Sequence, residues 1–322
     1  MSVSNTALTT ALPAKINVKP SNIRDISSSI LAQNGSIIPV QGRLVGPDNA
    51  PAIVVMGGIS AGKEVSDQGD IKGWWRDQIG PDQAINTDHT RILSFDFLGD
   101  EITPFPTTHD QARAILALAD KARIDQFSII GSSYGGMIAL ALAELAPTRV
   151  TKALVISAAH KASAMAQAWR SIQRDTVELA LQYGEGKAGL DLARRLAMTT
   201  YRTPEEIEQR FGAPEPNSRD VLGVASYLSA RGKAFTNQVS PQRFLALSRS
   251  MDNHFVDVSQ IACPVTYLAV GEDRLVPVDQ IAEAAGLTPD GRLKLIKSRY
   301  GHDAFLTETT QIGDALTEFT GG

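Results

Sequence analysis

Three side chains, in the order Ser133, Asp273, His302, carry the chemistry that this sequence offers. A serine hydroxyl is a weak nucleophile until an adjacent base takes its proton, and an imidazole can do so at neutral pH. A carboxylate on the far ring nitrogen then holds the imidazole in the right tautomer and stabilises the cation that forms. The three together imply acyl transfer through an ester on the serine. Water as the second acceptor would make a hydrolase. A bound alcohol or amine would make a transferase, provided water is kept out.

Such chemistry needs elements that bring distant residues to one place. Phe127 to Ile130 is a short apolar run that stops at Gly131, and Met137 to Leu145 reads as a buried helix closed by Pro147. Between them lies Gly131-Ser132-Ser133-Tyr134-Gly135, a Gly-x-Ser-x-Gly turn from strand to helix, which predicts Ser133 as an exposed nucleophile on a strained elbow. Asp273 directly follows the apolar run Cys263–Val270, and His302 follows the last such run, Leu293–Lys297, 29 residues on. Each member therefore ends a predicted strand, and strand ends of a parallel sheet share one edge. Glu272 is the rival of Asp273. His89, His109, His160 and His254 are rivals of His302, but none follows the last strand.

Two further strands precede the elbow, Pro51–Met56 and Arg91–Phe97, with another expected over Ser36–Val45 and the next after the elbow over Ala153–Ser157. The loop Gly57-Gly58-Ile59-Ser60-Ala61-Gly62 lacks the Lys-Ser/Thr of a phosphate-binding loop. It is read as an oxyanion loop, with the N–H groups of Ile59 and Tyr134 as donors. Thr108 is expected to cap a helix over His109–Arg123, and Trp74 and Trp75 are expected to pack internally. From His160 to about Asp257 the pattern is helical, which predicts a lid inserted into the sheet. The fold expected is α/β, an α/β-hydrolase with a mostly parallel central sheet, helices on both faces, a core over 34–158 and 259–322 and a helical lid over 159–258. Residues 1 to about 33 are Ser/Thr/Asn-rich and weakly patterned.

Composition narrows the partners. The net charge of −4 over 322 residues gives no general basic surface for nucleic acid or anionic membrane. Lone Cys263, at the start of an apolar strand, is expected to be a buried structural thiol. Five scattered histidines give no metal cluster, and no stretch approaches eighteen consecutive apolar residues. A cytoplasmic enzyme without a metal or tightly bound cofactor is expected.

Four segments carry a resemblance to a known family: Gly73–Asp88 (Gly-Trp-Trp-x4-Gly-Pro-x2-Ala-Ile-x-Thr-Asp), Ser132–Met137 (Ser-Ser-Tyr-Gly-Gly-Met), Leu192–Thr203 (Leu-Ala-Arg-Arg-Leu-Ala-Met-Thr-Thr-Tyr-Arg-Thr) and Tyr300–Leu306 (Tyr-Gly-His-Asp-Ala-Phe-Leu). In order and spacing they resemble the homoserine O-acyltransferases of methionine biosynthesis, over about Gly57 to Leu306. The resemblance implies Ser133, Asp273 and His302 as the triad, and Arg194, Tyr201 and Asp303 as contacts to the amino-acid acceptor. It also implies acyl-CoA as co-substrate, L-homoserine as acceptor with L-serine as the alternative, and a homodimer. Arg194 and Tyr201, seven apart, would share one helix face. An arginine suits a carboxylate, and Asp303 suits an ammonium.

The loop Gly57-Gly58-Ile59-Ser60-Ala61 and the segment Phe97-Leu98-Gly99-Asp100-Glu101 depart from the acetyl-transferring pattern, and in these, in Ser157-Ala158-Ala159-His160 and in Ser226–Gly232 the chain looks more like the short branch that transfers succinyl groups. Succinyl-CoA is therefore preferred over acetyl-CoA as donor. A succinyl group needs a cation for its free carboxylate, and the candidates are Lys161, Arg170, Arg174 and Arg231.

Overall fold

A computed structural model gives the structure of the chain and describes residues 22–32, 35–212 and 223–321. Ten strands occur among these residues: β1 (Ile23–Leu31), β2 (Ile37–Val45), β3 (Ala52–Met56), β4 (Ile79–Gly80), β5 (Ile85–Asn86), β6 (Arg91–Phe95), β7 (Phe127–Ser132), β8 (Val150–Ile156), β9 (Val265–Val270) and β10 (Gly291–Ile296). Eight of them form one sheet in the order β1-β2-β6-β3-β7-β8-β9-β10, while β4 and β5 pair with each other. From β6 to β10 all pairings are parallel, and β1 and β2 join antiparallel at one edge.

Alternation along the central strands explains the layering. Val54, Met56, Phe127, Ile129, Ala153, Val155, Tyr267 and Ala269 point to one face. There they meet Ile115 and Leu118 of α1 (Thr108–Lys121), Ile138 and Leu142 of α2 (Tyr134–Leu145) and Ile281, which lies farther along the chain. Ile53, Val55, Ile130, Leu154, Ile156 and Leu268 point to the other face, against Trp75, Ile79, Phe305, Ile312 and Leu316. Because strand side chains alternate, each central strand feeds both cores, and neither face of the sheet's centre reaches solvent.

Between β8 and β9 the chain leaves the sheet for five helices: α3 (Ala164–Gln182), α4 (Gly186–Tyr201), α5 (Pro204–Phe211), α6 (Gly223–Thr236) and α7 (Pro241–Asp252). Val177, Leu190, Ala193, Phe235, Val239, Phe244 and Leu245 give them a core of their own, on which Ile59 of the loop after β3 also packs. Residues 213–222 of the expected lid lie outside the described residues. After β9 the chain completes the sheet through α8 (Val278–Leu287) and β10, then runs into the short α9 (Ala304–Thr307) and α10 (Thr309–Gly321).

Two expectations are corrected. The sheet begins before residue 34: β1 pairs with β2 along its full length, Ile23 opposite Val45 through Leu31 opposite Ile37. It was illegible because an edge strand with one face in solvent carries Arg24, Asp25 and three serines where an inner strand would be apolar. The weakly patterned stretch 1–21 lies outside the described residues. Helix α1 starts one residue earlier than expected, because Thr107 is the N-cap in a reciprocal capping box with Asp110. Cys263 is buried at 6% exposure, and burial pushes its thiol up to about 11, so it stays a protonated, inert side chain.

Candidate active site

The turn from β7 to α2 is built by close approaches that only glycine permits. A Cβ on Gly131 would stand 2.2 Å from the carbonyl oxygen of Gly135, and one on Gly135 would stand 2.6 Å from the Met56 backbone. Gly135 N–H donates to the Gly57 carbonyl at 2.9 Å, so the elbow is tied to the loop after β3. Ser133 pays for this compression with φ 54° and ψ −118°, a strained conformation for a residue with a side chain. Ser132 beside it is fully buried, and its hydroxyl has no hydrogen-bond partner.

His302 Nε2 lies 2.8 Å from Ser133 Oγ, and His302 Nδ1 lies 2.7 Å from Asp273 Oδ2. The second oxygen of Asp273 accepts the N–H groups of Leu275 and Val276, at 2.9 and 3.0 Å, which fixes the carboxylate at the end of β9. Glu272 is directed elsewhere and accepts the Ser298 N–H at 2.8 Å. Asp273 and His302 are 4% and 3% exposed. Burial pushes the imidazole down, but the Asp273 carboxylate more than offsets this, helped by Asp303, and His302 stands above its ordinary pKa.

Three of the other histidines are paired or buried elsewhere. His109 meets Glu144 at 2.6 Å. His254 is held between Thr108 Oγ1 and the Ala159 carbonyl, and burial drives it down to about 3. His160 is buried and also lowered, chiefly by burial.

Ile59 and Tyr134 flank Ser133 on the loop and at the start of α2. Neither backbone N–H has an acceptor among the described residues. The Tyr134 side chain points away into the core, bonded to Ser250 at 2.8 Å and Gln111 at 3.1 Å, and burial raises its phenol to about 12. Tyr134 can thus serve the site through its backbone alone.

Two cavities meet at Ser133 and share Ile59, Tyr201 and His302. One is lined by Arg194, Tyr201 and Asp303 together with Trp74 and Phe305. The structure thereby brings the three expected acceptor contacts to one space beside the serine. Arg194 has its guanidinium carbon 5.3 Å from the Tyr201 ring centroid and 4.7 Å from that of Phe235. Asp303 is not alone: Arg202 Nε stands 2.9 Å from its Oδ2, an ion pair in which both side chains are largely buried. That N–H is not aimed at the oxygen, so the contact is one of charge rather than a hydrogen bond.

The second cavity lies under α3 and is lined by Lys161, Arg170, Gln173 and Ser157 among apolar groups. Of the four candidate cations, Lys161 and Arg170 line it. Arg174 is held by Asp252 and Ser248 without lining it, and Arg231 lies in a separate depression beside Arg202, near the Tyr227 ring.

Trp74 packs as expected and also borders the site. Trp75 packs too, 2% exposed with its indole N–H on the Phe305 carbonyl at 2.8 Å. Trp74 stacks on it at 5.1 Å and uses its outer face to wall the Arg194 cavity. Sequence reasoning also missed Arg202, whose position directly after Tyr201 in the Leu192–Thr203 segment was the available signal.

The pattern of the alpha/beta hydrolase fold family matches residues 51–309. The chain is 39% identical to the homoserine O-succinyltransferase of Xanthomonas campestris pv. campestris, over 85% of this chain and 76% of that protein. It is 33% identical to the homoserine O-acetyltransferase of Thermus thermophilus, over 77% and 72% of the two chains. A crystal structure of homoserine O-acetyltransferase from Staphylococcus aureus superposes with a TM-score of 0.80 at 23% identity, covering 93% of this chain and 95% of that one, which speaks for the fold. The chain belongs to the homoserine O-acyltransferase family of the α/β-hydrolase fold.

Proposed function

We propose that the protein transfers an acyl group, succinyl in preference to acetyl, from acyl-CoA to the hydroxyl of L-homoserine in two half-reactions. In the first, Ser133 Oγ attacks the thioester carbonyl as its proton passes to His302 Nε2. Asp273 stabilises the imidazolium, and the N–H groups of Ile59 and Tyr134 face the oxyanion. The C–S bond breaks, the proton goes to the CoA sulfur, and the acyl group remains as an ester on Ser133. In the second, the homoserine hydroxyl gives its proton to His302 and its oxygen attacks the ester. The Ser133–acyl bond breaks, and the proton returns to Ser133. No metal or further cofactor enters these steps.

The observation that carries this reading is Arg194. Among the described residues it has no carboxylate partner, yet it lines the cavity that holds Ser133, His302 and Asp303. A cation and an anion beside the nucleophile suit the α-carboxylate and α-ammonium of an amino-acid acceptor. A plain esterase has no use for that pair.

Mass spectrometry of the intact protein after brief exposure to succinyl-CoA or acetyl-CoA, with and without homoserine, tests the proposal. An adduct on Ser133 that persists in water and disappears on adding homoserine is expected. An adduct that water removes as fast as homoserine does would make the protein a hydrolase.

A further inference from the structure

The cavity under α3 holds more positive charge than its surroundings balance. Arg170 is 93% buried and lines it. Its Nε donates to Asp252 Oδ1 at 2.5 Å, while Arg174 Nη1 donates to the other oxygen of the same carboxylate, also at 2.5 Å. Two guanidinium groups thus share one carboxylate, which leaves one unit of charge over. Among the described residues Arg170 Nη2 is buried with no hydrogen-bond partner, and so is the hydroxyl of Ser157, which lines the same cavity. Among the described residues no aspartate or glutamate lines this cavity.

A buried guanidinium N–H and a buried hydroxyl without acceptors are costly, so a site that keeps both is suited to something that satisfies them. The charge is close to the chemistry, since Arg170 is among the groups that act electrostatically on His302. The remaining walls, including Ile59, Met137, Trp169, Phe244 and Met251, are apolar and suit methylene groups.

We propose that Arg170, with Ser157 beside it, recognises the free carboxylate of a short dicarboxylic acyl group, and so selects that donor over a neutral one. This rests on the reading of Ser133 as the residue acylated by acyl-CoA. The other cations fit less well. Lys161 is half exposed and already paired with Glu283 at 2.8 Å, Arg174 does not reach the cavity wall, and Arg231 lies in a different depression. The division of labour is then spatial. Arg194 serves the acceptor in one cavity, Arg170 serves the donor's acyl tail in the other, and Ser133 stands where they meet.

The test compares rates of CoA release and acyl-enzyme formation for succinyl-CoA against butyryl-CoA, a neutral thioester of the same chain length. Wild-type protein is expected to favour succinyl-CoA. In Arg170→Gln the succinyl-to-butyryl ratio should fall about ten- to a hundredfold, the range for losing a charged hydrogen bond, and Arg170→Lys should restore part of it. Asp252 keeps Arg174 as a partner in these variants. Should Arg170→Gln not fold, the same ratio in Arg170→Lys and Ser157→Ala decides the matter. A ratio that stays at the wild-type value while both rates fall together would overturn the proposal and make Arg170 a packing residue. Wild-type protein that neither thioester acylates would overturn the underlying reading itself.

Discussion

The Arg194 guanidinium lies over the Tyr201 ring, 5.3 Å from its centroid, on the lid helix that ends beside His302. The two residues are two turns apart on α4, and the Tyr201 ring in turn stands 5.6 Å from the His302 ring. A cation is thereby held at a fixed place beside His302, with no carboxylate among the described residues to neutralise it. Arg194→Ala should leave CoA release and acyl-enzyme formation nearly intact, while raising the homoserine concentration needed for the second half-reaction. The loss should be about 1.5–3 kcal/mol, roughly ten- to a hundredfold. Single-turnover kinetics on each half measure it. Slowed acylation with unchanged deacylation would move Arg194 to the donor site.

Ser133 and Ser132 are adjacent, yet only Ser133 faces His302. Ser133→Ala should abolish the covalent adduct. Ser132→Ala removes a buried hydroxyl without a partner, so it should keep the adduct and fold at least as stably as wild type. Loss of the adduct in Ser132→Ala alone would mean that the elbow presents the other serine.

Asp273→Asn should lower turnover on the order of 10⁴-fold, with the fold intact. The amide oxygen can still accept the Leu275 and Val276 N–H groups, but the amide nitrogen then faces His302 Nδ1 and forces the tautomer that has no lone pair towards Ser133. Circular dichroism and steady-state rates separate the two effects. Glu272→Gln, which touches only the Ser298 N–H, should keep most of the activity. Near-wild-type rates in Asp273→Asn would exchange the two roles.

His302 must be neutral to accept a proton, and its pKa is raised. The acid limb of the acylation rate should therefore lie above pH 6.5, with activity lost as pH falls through it. Asp303 contributes to the rise, so Asp303→Asn should move that limb to lower pH as well as weakening homoserine binding. A pH profile of CoA release shows both. A limb that stays put in Asp303→Asn would show that its charge does not reach the imidazole.

His254 is shifted in the opposite direction and sets an acid limit on stability. Burial lowers its pKa to about 3 in the folded protein, so below its unfolded value of 6.5 the unfolded chain binds a proton that the folded chain does not. Stability should fall as pH drops, by about 2 kcal/mol at pH 5 for this group alone. Urea unfolding from pH 7 to 5 measures the slope, and His254→Gln should flatten it. An unchanged slope in the variant would assign acid sensitivity to other groups.

By itself the sequence determined the sheet, the elbow and the chain order Ser133, Asp273, His302. These are written locally: an apolar run ends at a turn, glycines stand where no Cβ fits, and each chemical residue directly follows a strand. Strand β1 escaped notice because at an edge the pairing partner supplies the order that apolar patterning supplies inside the sheet. Only the tertiary structure decided which charges are already satisfied. Asp303 has Arg202, Lys161 has Glu283, and Arg170 and Arg174 share Asp252, whereas Arg194 has no carboxylate partner among the described residues. These pairings span long stretches of chain and depend on how the lid helices lie over the sheet edge, although Arg202 also has Glu206 four residues on, at the start of the next helix. The same packing divided the space around Ser133 in two, and Trp74 took up a place in one wall that its sequence neighbours do not specify.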